Sequence, residues 1–61
     1  MTVRDIYVST EENQKLIILE ADTNRMIWAG FEDSTPYELF DCWVSNLSCQ
    51  GATLIITIDP D

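Results

Sequence analysis

Histidine is absent from this chain of 61 residues, which also has only three lysines and arginines and two glycines. Without histidine, the usual acid, base and metal ligand near neutral pH is missing. Serine and cysteine nucleophiles then lack their normal activator, and two cysteines alone cannot complete a structural zinc site. Gly30 and Gly51 do not form a glycine-rich phosphate loop. We therefore predict that the chain is not an enzyme and uses no cofactor.

Positive charge is also scarce, because eleven aspartates and glutamates give a formal net charge of −8. This balance opposes direct binding to nucleic acid, whose phosphates attract cations, and opposes docking on an anionic membrane. It favours a protein partner with a basic surface, including a protein that itself holds nucleic acid.

Long apolar runs are missing as well, since no stretch approaches the roughly 18 residues of a membrane span. The first ten residues, MTVRDIYVST, lack the apolar centre of a secretion signal. We expect a cytoplasmic protein in which Cys42 and Cys49 are free thiols.

What is present is enough apolar character for one small domain spanning residues 1–61, because 46% of the residues are hydrophobic. Residues 3–9, 15–21, 26–31 and 52–59 are rich in strand formers and are separated by polar, turn-like segments. Thr35, Pro36 and Glu38 make a capping box with proline at the first helical position. A helical stripe follows, formed by Leu39, Phe40, Trp43, Val44 and Leu47 and ended by Gly51.

These segments predict an α+β fold, a four-stranded mixed sheet in the order β-β-β-α-β with one helix packed on one face. The short connections make the first three strands antiparallel. The helix then returns the chain, so that the last strand runs parallel to the first and third through a right-handed crossover. If the four predicted strands are numbered along the chain, the orders 3-2-1-4 and 2-1-3-4 across the sheet both remain open.

This topology predicts that acidic residues gather at one edge of the sheet, where they would bind a basic partner. The proposed partner-binding residues are Glu11, Glu12, Glu32, Asp33, Tyr37, Glu38 and Asp59, with Asp61 at the same edge. The alternative is a purely solvating surface in which the acids near the helix start complement its dipole. In general character only, such a chain is similar to the phage-encoded inhibitors of restriction and CRISPR systems, which implies that carboxylates stand in for phosphates.

Two further functions stay open. One helix covers one face of the sheet, yet the strands are apolar on both faces, which favours a homodimer anchored by Tyr7, Met26 and Trp28. More remotely, Asp5, Glu38 or Asp41, and Asp59 loosely resemble the metal-binding carboxylates of ribonuclease H-like nucleases. In the predicted fold, however, Asp5 and Asp59 are too far apart for a shared pair of metal ions.

Overall fold

The computed structural model describes residues 1–59 and contains a single mixed sheet with one helix. Along the chain the elements are α1 (Val3–Ser9), β1 (Lys15–Glu20), β2 (Met26–Phe31), 3-10 turns at Glu32–Ser34 and Tyr37–Leu39, β3 (Trp43–Gln50) and β4 (Thr53–Asp59). The strands lie in the order β2-β1-β4-β3. The α+β class with a four-stranded mixed sheet and one helix is confirmed, but the predicted order β-β-β-α-β is wrong because the helix comes first.

The core lies on one face of the sheet, here called the inner face. Its centre is the parallel pair β1–β4, where Leu16 lies opposite Leu54 and Ile18 opposite Ile56. Ile18 and Ile56 are completely buried, and Val3 and Ile6 of α1 close over them. Because side chains alternate along a strand, Ile17 and Ile55 point to the opposite, outer face, where they are only half-buried.

The segment Val3–Ser9 forms α1, although its β-branched residues favour a strand. The N–H of Thr2 donates to the Asp5 carboxylate at 2.9 Å, which caps the first turn in the manner of a capping box. Val3 and Ile6, three residues apart, fall on the same side of the helix and are both buried. Burial of this stripe outweighs the weak preference of the individual residues for extended chain.

The predicted helix after Thr35 is also wrong. Pro36 remains extended, with ψ of 127°, and only a single 3-10 turn follows it before the chain enters β3. Strand β3 pairs antiparallel with β4 but shifts register between Val44 and Asn46, which marks a β-bulge. The extra residue places Val44 and Leu47 on the same face, opposite Ile58 and Ile56. Val44 and Leu47 are three residues apart, a spacing that predicts a helix from the sequence. In the structure, a bulged strand produces the same spacing.

Gly51 is the turn of the β3–β4 hairpin rather than the end of a helix. Gln50 pairs with Thr53, so the loop has two residues, and Gly51 has a φ of 62°. Glycine at the first position with φ above zero is typical of a II′ turn, which suits the twist of paired strands. The hairpin reverses the chain, so β4 runs parallel to β1 instead of antiparallel to it, and no helix connects β2 to β4.

The sheet therefore has two distinct ends. At the lower end, Phe31, Lys15, Thr53 and Gln50 lie side by side across the four strands. At the upper end, the start of β3 pairs with the end of β4 through Trp43 and Asp59. Cys42 and Cys49 are free, as predicted, and the extended chain between them separates them by roughly 20 Å. Within residues 1–59, no helix is long and apolar enough to cross a lipid bilayer.

Candidate protein-binding site

Four carboxylates from two turns meet in one cleft at the lower end of the sheet. Glu11 and Glu12 lie just before β1 begins, and Glu32 and Asp33 lie just after β2 ends. Because β1 and β2 are antiparallel neighbours, these two turns lie side by side. They line a cleft of about 740 Å³, here called the acidic cleft, together with Tyr7, Val8, Thr10 and Asn13.

Backbone hydrogen bonds fix the two acidic turns to each other. The N–H of Glu32 donates to the carbonyl of Gln14 at 2.8 Å, and the N–H of Asp33 donates to the carbonyl of Glu12 at 3.3 Å. The Gln14 side chain also donates to the carbonyl of Ala52 at 2.8 Å, which ties the first turn to the β3–β4 hairpin. The carboxylates are therefore carried by a connected backbone rather than by independent loops.

Glu32 differs from the other acids of the cleft because only 5% of its surface is exposed. Its own carbonyl accepts hydrogen bonds from the Thr35 N–H and hydroxyl, at 3.1 and 2.7 Å. Its carboxylate has no ion pair with any residue from 1 to 59. Every fully buried side-chain oxygen in this part of the chain has a hydrogen-bond partner. The Glu32 carboxylate, which has none, therefore keeps its remaining contact with solvent, and that contact is in the acidic cleft.

Among residues 1–59, no lysine or arginine forms an ion pair with an acid of the acidic cleft. The one ion pair found within residues 1–59 joins Arg4 to Asp41 at 3.2 Å, away from the cleft, and both side chains are mostly exposed. Lys15 is the nearest cation in sequence, but its side chain leaves β1 on the outer face, opposite Leu16. The four acids of the cleft thus form no ion pair with the described part of the chain.

An aromatic side chain forms one wall of the acidic cleft. The Tyr7 ring packs against Phe40, with ring centroids 4.7 Å apart, and Arg4 lies 5.9 Å from the centre of the same Phe40 ring. Val8 stands next to Tyr7 on the cleft wall and is 72% exposed. An adjoining hollow of about 340 Å³ continues past Glu12 and Asp33 to Phe31. Apolar surface therefore borders the carboxylates on two sides.

The remaining predicted partner-binding residues do not line the cleft. Tyr37 and Glu38 are exposed on the second 3-10 turn, within the segment that crosses the inner face toward the upper end. Asp59 ends β4 at the upper end of the sheet, so its predicted place beside Glu11 and Glu12 is wrong. The cause is the reversed direction of β4. Asp61 lies outside the described residues.

The predicted self-association residues do not share a face. Trp28 pairs with Ile18 and packs on the core, and its ring covers Gly30, where an added Cβ would come within 2.8 Å of the ring. Tyr7 belongs to α1 on the same inner side. Met26 alone is widely exposed, at 59%, and pairs with Leu19 at the upper end of β2. Trp28 and Tyr7 therefore cannot anchor a contact through the outer face.

The carboxylates compared with a nuclease centre are likewise dispersed. Asp5 caps α1, Asp41 pairs with Arg4, and Asp59 lies on β4. Within the described part of the chain, no group of three or more aspartate, glutamate or cysteine side chains is arranged to hold a metal ion.

Four residues of the cleft escaped prediction as parts of this site: Tyr7, Val8, Thr10 and Asn13. The first three adjoin or belong to a segment that reads as a strand within the sheet, and the sequence assigns Tyr7 to self-association instead. The pattern Thr2-x-x-Asp5 before an apolar segment is the signal that could have placed them on a helix end.

In comparisons with known proteins, no family model, curated protein or solved structure matches this chain.

Proposed function

We propose that this chain is a small acidic protein-binding module whose acidic cleft receives a basic surface of another protein. The observation that carries the proposal is the convergence of Glu11, Glu12, Glu32 and Asp33 on one cleft with no compensating cation among residues 1–59. A groove that normally receives nucleic acid is a suitable partner surface, because carboxylates can take the place of phosphates there. Binding would make the chain an inhibitor of that partner.

Solubility alone explains the cleft poorly. Acids that serve only solvation are best spread over the surface, because gathering like charges in one place destabilises the folded state through repulsion. Here backbone hydrogen bonds hold the two acid-bearing turns side by side. A basic partner would relieve this repulsion on binding, and its approach would be accelerated by the attraction between opposite charges. The same attraction makes association sensitive to salt.

Affinity capture with two charge-matched variants tests this proposal. Glu12→Lys with Asp33→Lys alters the cleft, whereas Asp22→Lys with Glu38→Lys alters two exposed acids outside it; either pair changes the formal net charge from −8 to −4. We expect the wild type and the second variant to retain the same basic protein from a lysate of the source organism, and to release it as salt rises. The cleft variant should not retain it.

Capture of the same protein by all three baits would contradict the proposal, because the acids of the cleft would then be dispensable. Loss of capture by both variants would contradict it too, since total charge rather than the cleft would decide binding.

A second function is favoured by the outer face of the sheet. Both α1 and the 3-10 turns pack on the inner face, and the described chain has no further element to cover the other side. Strand β2 exposes Met26, Ile27 and Phe31 by 59%, 38% and 53%. Such exposed apolar surface marks many interfaces, and a second copy of the chain could bury it in a homodimer.

Sedimentation equilibrium decides whether this homodimer forms. If it does, we expect the mass of a dimer in the high micromolar range and dissociation on replacing Phe31→Lys on the outer face. Tyr37→Lys, which alters an exposed aromatic residue of the segment on the inner face, should leave the dimer intact. A monomer mass at every concentration would contradict the homodimer.

A further inference from the structure

We infer that the acidic cleft is a socket for one cationic side chain, a lysine or an arginine of the partner protein, and that the Glu32 carboxylate is its main ligand. The inference rests on the proposed function and adds to it the group that is recognised. It depends on Glu32 rather than on the number of acids around it.

Glu32 is a largely buried anionic residue that has no cationic partner within residues 1–59. Only 5% of the surface of Glu32 is exposed, and the residue makes no ion pair within residues 1–59. Glu32 is also one of the residues that line the acidic cleft. The Glu32 carboxylate keeps only a small contact with solvent, and reduced hydration of a charged group is costly unless a partner replaces the lost water. A cationic donor entering the cleft would supply that partner through a charge-assisted hydrogen bond.

The walls of the cleft select an organic cation with a long apolar stem. Lysine and arginine carry their charge at the end of a methylene chain, which commonly packs along apolar surface. Tyr7 and Val8 provide such surface beside the carboxylates. The flat guanidinium of arginine can in addition stack on the Tyr7 ring.

A bare metal ion fits the same site less well. Calcium requires six to eight oxygen ligands and magnesium a near-octahedral set, both at short distances. The acids of the described chain, including those of the cleft, form no group of three or more placed to hold a metal ion. Carboxylates that are not grouped as a metal site requires instead suit a donor with several N–H groups.

The backbone around Glu32 is prepared for such binding. Its N–H is held by Gln14 and its carbonyl by Thr35, so the main chain on both sides of the carboxylate is fixed before a ligand arrives. A ligand that meets a side chain on a fixed backbone loses less of its affinity to ordering of the site.

An NMR titration of the complete chain tests the inference with three probes: the Nα-acetyl methylamides of lysine, arginine and norleucine. Norleucine has an apolar stem like that of lysine but no charge. We expect the backbone amide signals of Glu11, Glu12, Asn13, Glu32 and Asp33 to shift and saturate with lysine or arginine, and to stay in place with norleucine. Saturation in the millimolar range is expected, because one charged contact near a surface is weak.

Glu32→Gln is the decisive variant, since it keeps the size of the side chain and removes its charge. We expect affinity for the cationic probes to fall about 10-fold or more. Glu38→Gln removes an equal charge from a residue that does not line the cleft and should change affinity little. The amide spectrum of each variant reports whether the fold is retained.

Unchanged affinity in Glu32→Gln would overturn the inference, and so would wild-type shifts spread equally over Asp22, Glu38 and the cleft. The wild-type shift map decides the question even if the variant fails to fold. Absence of a cleft-specific response to lysine and arginine, combined with cleft-dependent capture of a protein, would reject the socket and leave the proposed function standing. Loss of both would reject both.

Discussion

Replacing Ile56→Ala should lower the free energy of unfolding by about 2–5 kcal/mol, because the side chain is completely buried and its loss leaves a cavity. A domain of this size rarely has more than roughly 3–5 kcal/mol of stability, so the variant should lie close to complete unfolding at 25 °C. Chemical denaturation followed by far-UV circular dichroism measures the change. Ile56→Val, which removes a single methyl group, should cost only about 0.5–1.5 kcal/mol.

Ile55→Ala is the matched control, since it removes an identical side chain from the next residue of β4. Ile55 points to the outer face and is only half-buried, so we expect a loss of about 1 kcal/mol or less in the monomer. Equal losses for Ile55→Ala and Ile56→Ala, independent of protein concentration, would contradict the assignment of the two faces. A loss for Ile55→Ala that varies with concentration would instead report association through the outer face.

Strands β1, β2 and β4 could be predicted because each is a short apolar run between polar turns. Their faces could be predicted too, since alternation alone separates Ile18 and Ile56 from Ile17 and Ile55. None of this depends on which strands become neighbours. Adjacency does depend on the rest of the chain, and neither of the two predicted strand orders matches β2-β1-β4-β3.

The prediction made a strand of the segment that forms α1 and a helix of the segment that contains β3. Both segments carry local signals for a helix and for a strand. Thr2 and Thr35 each stand three residues before an acid, and either pair can cap a helix. Tertiary contacts decide between them. Val3 and Ile6 bury a helical stripe, while the bulge in β3 lets Val44 and Leu47 share a face in extended chain.

The sequence predicts which two turns bring their acids to the cleft, but it does not predict the place of Asp59. Joining Glu11 and Glu12 to Glu32 and Asp33 requires only that β1 and β2 form an antiparallel hairpin, and they do. Placing Asp59 requires the direction of β4, which the exchanged helix and strand reversed. The burial of Glu32 has no counterpart in local sequence, because it depends on which segments of the folded chain come together at the lower end of the sheet.

Binding of a pentalysine peptide should depend on where the acids lie, and not only on how many there are. At low salt, we expect the wild type to bind the peptide and the cleft variant, Glu12→Lys with Asp33→Lys, to bind it about 10–100-fold more weakly, because two attractive contacts become repulsive. Asp22→Lys with Glu38→Lys carries the same net charge and should weaken binding only about 2–3-fold, through the overall field of the protein. A pentapeptide in which every lysine is acetylated should not bind.

Isothermal titration calorimetry of the wild type and these two variants with pentalysine, at low and at physiological salt, tests whether the acidic cleft recognises cations. We expect a large loss of affinity in the cleft variant alone, and we expect the difference between it and the wild type to shrink as salt rises. Equal losses in the two variants would contradict it, because the acidic cleft would then be no more than part of a uniformly acidic surface.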